Sequence, residues 1–394
     1  MVSTRCPICA GKRPFCIHKS YPLPRDYNIE KKVKEHLSKD FFGPSYSVFV
    51  GQYGYPKVNV GPLAGLQPNN TVDNPSKWFG KGYEDIIELR SFLIRSQQKE
   101  NIFSKSRYVL DNQELALASK PTETEIQYKK DPTYNFTLSD VIQPMGPVGT
   151  VDKFRVTENV KIARQVDKVV SDEMKTAEAA MVLYKKQEDV YKITTILSSG
   201  AFGLEQNKKV VPTRWSITAT DDIVTKGLLE KVRNYPSINN YLVFEGSYLG
   251  NYFTILLMPG NWEFENFEAW SPGSNWSVQT GARIIGEYES HGGRTKYAES
   301  QAGGYYAARI AVVEYLAQLK RQARVVSFRE VSEEYTIPLG VWLVRETARN
   351  AFKNMKRFST RKEAMNYIKT RLRVPLDKYY KKSKVLPQKR VWEF

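Results

Sequence analysis

Apolar and polar positions along this chain fall into two periodicities. Between Asp26 and Lys39, the residues Ile29, Val33, His36 and Leu37 lie near one face at three- and four-residue steps and predict a short basic helix. PSYSVFVGQYGYPKVNVGPL, residues 44–63, reads as two alternating strands around Gly51, Gly54 and Pro56, a hairpin. From Glu158 to about Tyr184, Val166, Val170, Met174, Ala177 and Met181 recur at helical spacing and predict one long amphipathic helix. Tyr191–Leu197, Arg214–Thr220, Tyr241–Tyr248 and Tyr252–Met258 are β-branched or aromatic and read as strands, with Gly250-Asn251 as a tight turn between the last two. Gly303 to Ala323 is helical, with Ile310, Val313, Leu316 and Leu319 facing inward. Pro338–Asn354 and Glu363–Arg371 continue as helices, the latter opened by Thr360 and Glu363 at capping-box spacing. Pro-, Asn- and Asp-rich stretches near 67–76 and 131–149 read as loops. Strands and helices mixed without regular alternation predict an α+β fold, with a strand-rich core and several long helices.

The 394 residues are 41% apolar and include 24 tyrosines, enough chain and aromatic content for two or three packed units. The longest purely apolar run, Ile255–Met258, falls far short of the ~20 residues of a membrane helix. MVSTRCPICAGKR lacks the apolar run of a secretory signal, so the expectation is a soluble cytoplasmic protein with no membrane partner. Net charge is +17, and it is concentrated at the ends. Residues 1–40 hold nine Lys/Arg against four Asp/Glu, and residues 352–394 hold fourteen against three, which leaves the middle nearly neutral. Two cationic ends suit a polyanion such as DNA or RNA, the competing reading being lysines that simply stay solvated.

All three cysteines lie in CPICAGKRPFCIH, with Cys6 and Cys9 at C-x2-C spacing followed by Cys16 and His18. A C-x2-C turn lets two thiolates reach one tetrahedral ion, and Zn²⁺ wants four such ligands. His18 is the fourth donor, with His36 as the alternative; the bland reading is a set of reduced thiols. Lys12, Arg13 and Lys19 around the knuckle, and Lys381, Lys382 and Lys384 near the other end, are the candidate nucleic-acid contacts. The expected organisation is a zinc knuckle and basic helix over 1–40, a β-rich part of the core over 41–150, a main α+β domain over 151–374, and a flexible basic tail over 375–394.

The chain closes on QKRVWEF, with Gln388, Val391 and Phe394 at offsets of three and Trp392 beside them. One helical turn would gather Val391 and Phe394 into an apolar plug. The spacing resembles the clamp-binding peptide that docks in the sliding clamp PCNA. It departs from that pattern in Glu393, which stands where an aromatic is usual, and in the small Val391.

Two stretches invite a catalytic reading, and neither decides whether the protein is an enzyme. Asp221 and Asp222 follow a predicted strand near Arg214 and suit metal-assisted phosphodiester hydrolysis, or else Asp221 simply caps the helix DDIVTKGLLEKV. In ESHGGRTKYAESQAGGYY, His291 is a candidate acid or base, Arg294 a charge clamp, and Gly303-Gly304 a phosphate cradle at a helix start. Trp262, Trp270 and Trp276 either stack bases or belong to sheet cores.

The cysteine knuckle, FVGQYGYPKVNVGPL, VPTRWSITATDD, HGGRTKYAESQAGGYYAARIAVVEYL and QKRVWEF together resemble the archaeal Nre family of DNA-repair proteins, from Cys6 to Phe394. The resemblance implies DNA-damage repair, recruitment to PCNA through the tail, contact with DNA and other repair proteins, and an N-terminal zinc finger. The family's usual four cysteines are here three, with His18 in the vacant place. The alternative function is a repair enzyme, an abasic-site endonuclease or other phosphodiesterase.

Overall fold

The computed structural model describes residues 27–67, 71–172, 174–271 and 282–388, which divide into two compact units, one within residues 22–224 and the other within 225–394.

In the first unit, α1 (Tyr27–Glu35) leads into β1 (Asp40–Val50) and β2 (Lys57–Gly65), then α2 (Tyr83–Ser91), β3 (Leu93–Asn101), α3 (Arg107–Leu117), β4 (Thr122–Tyr128) and β5 (Val148–Val156). The strands close into a barrel in the order β1-β2-β3-β5-β4. Every neighbouring pair is antiparallel except β3 with β5. Alternation fills the interior: Val48, Val50, Val58 and Val60 pack against Val109 and Leu115 of α3, while Ala64, Ile94, Ile126, Tyr128 and Val151 form a second cluster. A closed five-stranded barrel of this connectivity, with a helix between its third and fourth strands, is the OB-type Greek key. The predicted hairpin is β1 and β2.

Three further helices, α4 (Arg164–Ser171), α5 (Thr176–Lys185) and α6 (Val190–Ser199), share a core of Val166, Val169, Ala180, Leu183, Ile193 and Ile196. The single helix expected from Glu158 to Tyr184 is therefore two, because the backbone turns extended at Lys175 (φ −56°, ψ 141°). The strand expected at Tyr191–Leu197 is α6. Asp189 caps it by accepting from the Tyr191 amide at 3.0 Å, and Gly200 ends it at φ 78°. Burial on nearly all sides rewards its β-branched side chains whichever backbone carries them. The strand expected at Arg214–Thr220 is likewise helical, the first part of α7 (Thr213–Val232), which carries the chain from one unit into the other.

The second unit is built on β6 (Tyr241–Tyr248), β7 (Asn251–Met258), β8 (Glu263–Trp270), β9 (Arg283–Glu289), β10 (Arg324–Val331) and β11 (Met355–Phe358), in the sheet order β11-β6-β7-β10-β8-β9. Leu249 and Gly250, at φ 45° and 71°, make the tight turn between β6 and β7. β10 enters between β7, antiparallel, and β8, parallel, and all eight of its residues are buried. α8 (Gly303–Leu319) and α9 (Trp342–Ala351) cover one face; Gly246 lets α9 approach, since a Cβ there would lie 2.8 Å from the Cα of Ala351. On the other face α10 (Arg361–Arg371) and α11 (Leu376–Tyr380) bury Met365, Ile368 and Tyr379 against Val243, Phe267 and Phe328. The predicted capping box is present, Thr360 accepting from the Glu363 amide at 3.3 Å. The mixture of helices and strands is α+β, as the sequence predicts.

The segment after Pro375, expected as a flexible linker, is fixed as far as Gln388. Val385 and Leu386 sit in the sheet core, each worth about 1.5–3 kcal/mol of apolar burial. Buried carboxylates hold the backbone around them. Glu330 accepts from the amides of Arg373 (2.7 Å) and Val374 (2.9 Å) and from the Tyr379 hydroxyl (2.8 Å). Glu265 accepts from the Lys384 amide at 2.8 Å and from the Ser383 hydroxyl.

Candidate nucleic-acid interface

Four cations, three of them singled out in the sequence, gather at one groove in the second unit. The turn after β9 supplies Arg294 and Lys296, the segment after α11 supplies Lys382 and Lys384, and Glu287 and Tyr288 of β9 line the floor of a cleft of about 610 Å³. Alternation in KKSKVL explains the display: Ser383, Val385 and Leu386 point inward, while Lys381, Lys382 and Lys384 are exposed. The Lys384 ammonium lies 5.1 Å from the centre of the Tyr288 ring. Lys296, Lys382 and Lys384 make no ion pair within salt-bridge distance among the described residues, although two carboxylates, Glu265 and Glu287, share the lining and the Lys384 charge acts on Glu265. Lys381 is exposed outside the groove lining.

Arg294 has a different task from the clamp the sequence predicts. Its guanidinium donates to Glu287 (2.6 Å) and to the carbonyls of Lys296 (2.7 Å), Tyr297 (3.0 Å) and Tyr288 (3.3 Å), and lies over the Tyr305 ring. These contacts fold the loop that presents Lys296. Glu287 also accepts from the Ser300 amide at 3.0 Å. Burial alone would push the Glu287 carboxyl up, but the Ser300 hydrogen bonds and the Arg294 charge hold it below the usual carboxylate range.

The Gly303-Gly304 helix start is no open phosphate cradle. Both glycines are buried, and a Cβ at Gly304 would lie 2.6 Å from Oε1 of Glu268, so a protein carboxylate already occupies that end of α8. Glu268 is paired in turn with Arg329 at 2.7 Å. His291 is exposed at the tip of the turn closed by the Gly293 amide on the Ser290 carbonyl (2.9 Å), with no orienting carboxylate among the described residues. Asp221 does not cap a helix, because α7 begins at Thr213 and Asp221 is fully buried in its middle. Asp221 and Asp222 belong to the first unit and His291 to the second. Among the described residues no group of three or more His, Cys, Asp or Glu side chains is arranged to hold a metal ion.

Trp262 is a core residue: its indole N–H points at Glu289 (3.3 Å), which is buried and paired with Arg309 at 2.7 Å. Trp270 ends β8 beneath the Arg283 guanidinium, 5.6 Å away. Gln388 accepts from Arg324 at 3.1 Å, and Arg324 also holds the Val385 carbonyl at 3.0 Å. The Nδ1–H of His36 donates to the Lys32 carbonyl at 2.8 Å, which leaves only Nε2 as a ligand atom. Cys6, Cys9, Cys16, His18, Lys12, Arg13, Lys19, Trp276, Val391, Trp392 and Phe394 lie outside the described residues.

One site in the first unit has no counterpart in the sequence reading. Lys192 lines a cavity of about 230 Å³ with Asp73, Arg90 and Asp189, and burial pushes its amine down to about 8. The amine donates to the carbonyls of Ala116 (2.8 Å) and Ala118, so it caps the C-terminal end of α3. The available signal was a lone cation inside the apolar run VYKITTIL.

Residues 15–277 match the model for the N-terminal part of archaeal Nre, and residues 289–393 match the model for its C-terminal part. The chain belongs to the archaeal Nre family. It is 36% identical to a DNA repair protein NreA of Archaeoglobus fulgidus over 90% of both chains. It is 32% identical to that organism's DNA repair protein NreB over 99% of both. A DNA repair protein NreA of Haloferax volcanii is 33% identical over 87% of this chain and 86% of its own. No solved structure matches the chain. The break between the two Nre matches, residues 278–288, takes in nearly all of β9, inside the six-stranded sheet, so both segments contribute strands to one core. Among the described residues no helix is long and apolar enough to cross a membrane.

Proposed function

We propose that this Nre protein is a DNA-repair factor that grips nucleic-acid phosphates in the groove of Lys296, Lys382 and Lys384 and is recruited to the sliding clamp PCNA by its last seven residues. The observation that carries the reading is the groove: Lys296, Lys382 and Lys384, some ninety positions apart in sequence, converge on one cleft beside Tyr288, where they outnumber the carboxylates Glu265 and Glu287, the latter already held by Arg294. The names of the relatives supply DNA repair as the setting. Anchoring at Leu386 and Gln388 supports the tail's role by starting the clamp peptide at a fixed point on the second unit.

Cys6, Cys9, Cys16 and His18 would hold one Zn²⁺, since three thiolates and an imidazole suit closed tetrahedral coordination. Such a site folds a segment too short for its own core and presents Lys12, Arg13 and Lys19 to phosphate.

The groove is tested by fluorescence anisotropy with labelled duplex DNA and the full chain carrying Lys382→Gln and Lys384→Gln. For each phosphate no longer neutralised, the plot of log K against log salt becomes shallower by about 0.9, so the double variant is expected to drop by about 2 in slope and to bind weakly at low salt. Unchanged affinity and slope would remove the groove from the binding surface.

A further inference from the structure

The barrel of the first unit presents a second surface, unlike the groove in chemistry. The β1–β2 loop, the end of β3 and residues 209–215 meet at one end of the barrel. The Ile102 amide donates to the Pro56 carbonyl (2.9 Å), the Val210 amide to the Ile102 carbonyl (2.9 Å), and the Val50 amide to the Thr213 hydroxyl (2.9 Å). Four aromatic side chains stand out from that end: Tyr53 is 74% exposed, Phe103 59%, and Tyr55 and Trp215 46% each. Tyr55 leans on Trp215, with ring centres 5.3 Å apart. Phe42 is the one other large aromatic exposed in this unit among the described residues, so the clustering is not a general feature of its surface.

Beside the aromatics lies a basic stretch of the outer sheet face. Strand register puts Lys57 opposite Asn101 and Asn59 opposite Lys99 on the outer face of β2 and β3; farther along that face Leu63 and Leu93 are covered by Val72 and Met145, so the open part is the Lys57–Lys99 end. The inner face carries Val58, Val60 and Ala64. The outer rows contain no Asp or Glu, and Lys57, Lys99 and Asn101 are exposed. Lys209 adds its ammonium over the Phe103 ring at 5.9 Å. The β4–β5 loop opens with exposed Lys129 and Lys130.

We propose that the barrel is a single-stranded DNA-binding module, with bases stacking on Tyr53, Phe103 and the Tyr55–Trp215 pair while the backbone follows the Lys57–Lys99 face. A duplex hides its bases, and a single strand offers them; exposed rings beside exposed cations complement the second and not the first. In OB-type barrels this same β2–β3 face and the β1–β2 and β4–β5 loops are where an oligonucleotide fits. The choice of DNA over RNA rests on the repair setting proposed above; the stacking site does not.

The test uses the full chain with labelled 12-mers of dT and rU and a 12-bp duplex, in anisotropy titrations at fixed salt. Tyr53→Leu and Phe103→Leu are expected to weaken dT binding by at least about fivefold each, while Tyr53→Phe retains it and duplex binding is unchanged. Lys382→Gln with Lys384→Gln is expected to show the reverse, a duplex defect with dT binding intact, so failure of the groove and failure of the barrel are told apart. Thermal melts of each variant establish that these exposed substitutions leave the fold in place. The proposal is overturned if the leucine variants bind dT like the parent, if rU binds more tightly than dT, or if the substitutions alter only self-association in gel filtration.

Discussion

Lys192 shows how one side chain couples burial to pH. Its folded pKa, about 8, lies below the ordinary lysine value of 10.5 because burial penalises the charged amine. Between those two values the unfolded chain binds a proton that the folded chain has released, so this residue makes stability rise as pH increases from about 8 to 10.5. In urea unfolding of the parent and of Lys192→Met, the parent should gain stability relative to the variant across that window, on the order of 3 kcal/mol at the upper end. A pH-independent difference between the two would show that the amine is not buried as described. Other residues look functional in sequence and prove structural in the fold. Arg294 reads as a phosphate clamp until Glu287 and three carbonyls are seen around it. Gly304 reads as a cradle until Glu268 is found against it. Glu268 comes from β8, far from Gly304 in sequence, and the partners of Arg294, though only two to seven residues away, meet it only because the loop after β9 folds back.

At the scale of elements, β10 is the decisive strand. It lies between β7 and β8 with both faces covered, so it depends on hydrogen-bond ladders from both neighbours. A fragment of residues 289–393, the C-terminal Nre segment alone, keeps β10 and β11 but loses β6 to β8 and nearly all of β9. It should show no cooperative thermal melt by circular dichroism; a sharp transition would refute the dependence. Elements set by local chemistry were legible. The β6–β7 turn follows from Gly250, α10 from its capping box, and α8 from its apolar spacing. Elements set by distant partners were not. α6 has a strand's composition and becomes a helix in a packed site, and the polar strand LIRSQQKEN of β3 gains its identity by pairing with β2 and β5. The lysines of the groove were visible as charge, whereas Tyr53, Phe103 and Trp215 become one surface only when the barrel closes.

Across the whole molecule, the surplus charge of residues 352–394 does not trail in solvent. Much of it is mounted on β11, α10 and the segment that ends at Gln388, with apolar side chains inward and cations outward. The two proposed roles of this region are therefore separable. Deleting residues 389–394 should abolish PCNA binding in surface plasmon resonance while the affinity for duplex DNA stays within about twofold. Equal clamp binding by the truncated chain would dismiss the terminal peptide as the recruiting element.

The position of β10 also bears on how the polypeptide is made. Translation delivers β6 with β7, then β8 with β9, as two hairpins whose facing edges cannot join, because the strand that belongs between them is encoded after α8. Until Arg324–Val331 leaves the ribosome, the nascent chain holds two unfinished edges rich in Phe, Leu and Ile, the kind of surface that captures a neighbouring chain. The expected consequence is that a translational pause placed just before codon 324 lowers the soluble yield, measured against the same pause placed after codon 331, which should leave it unchanged.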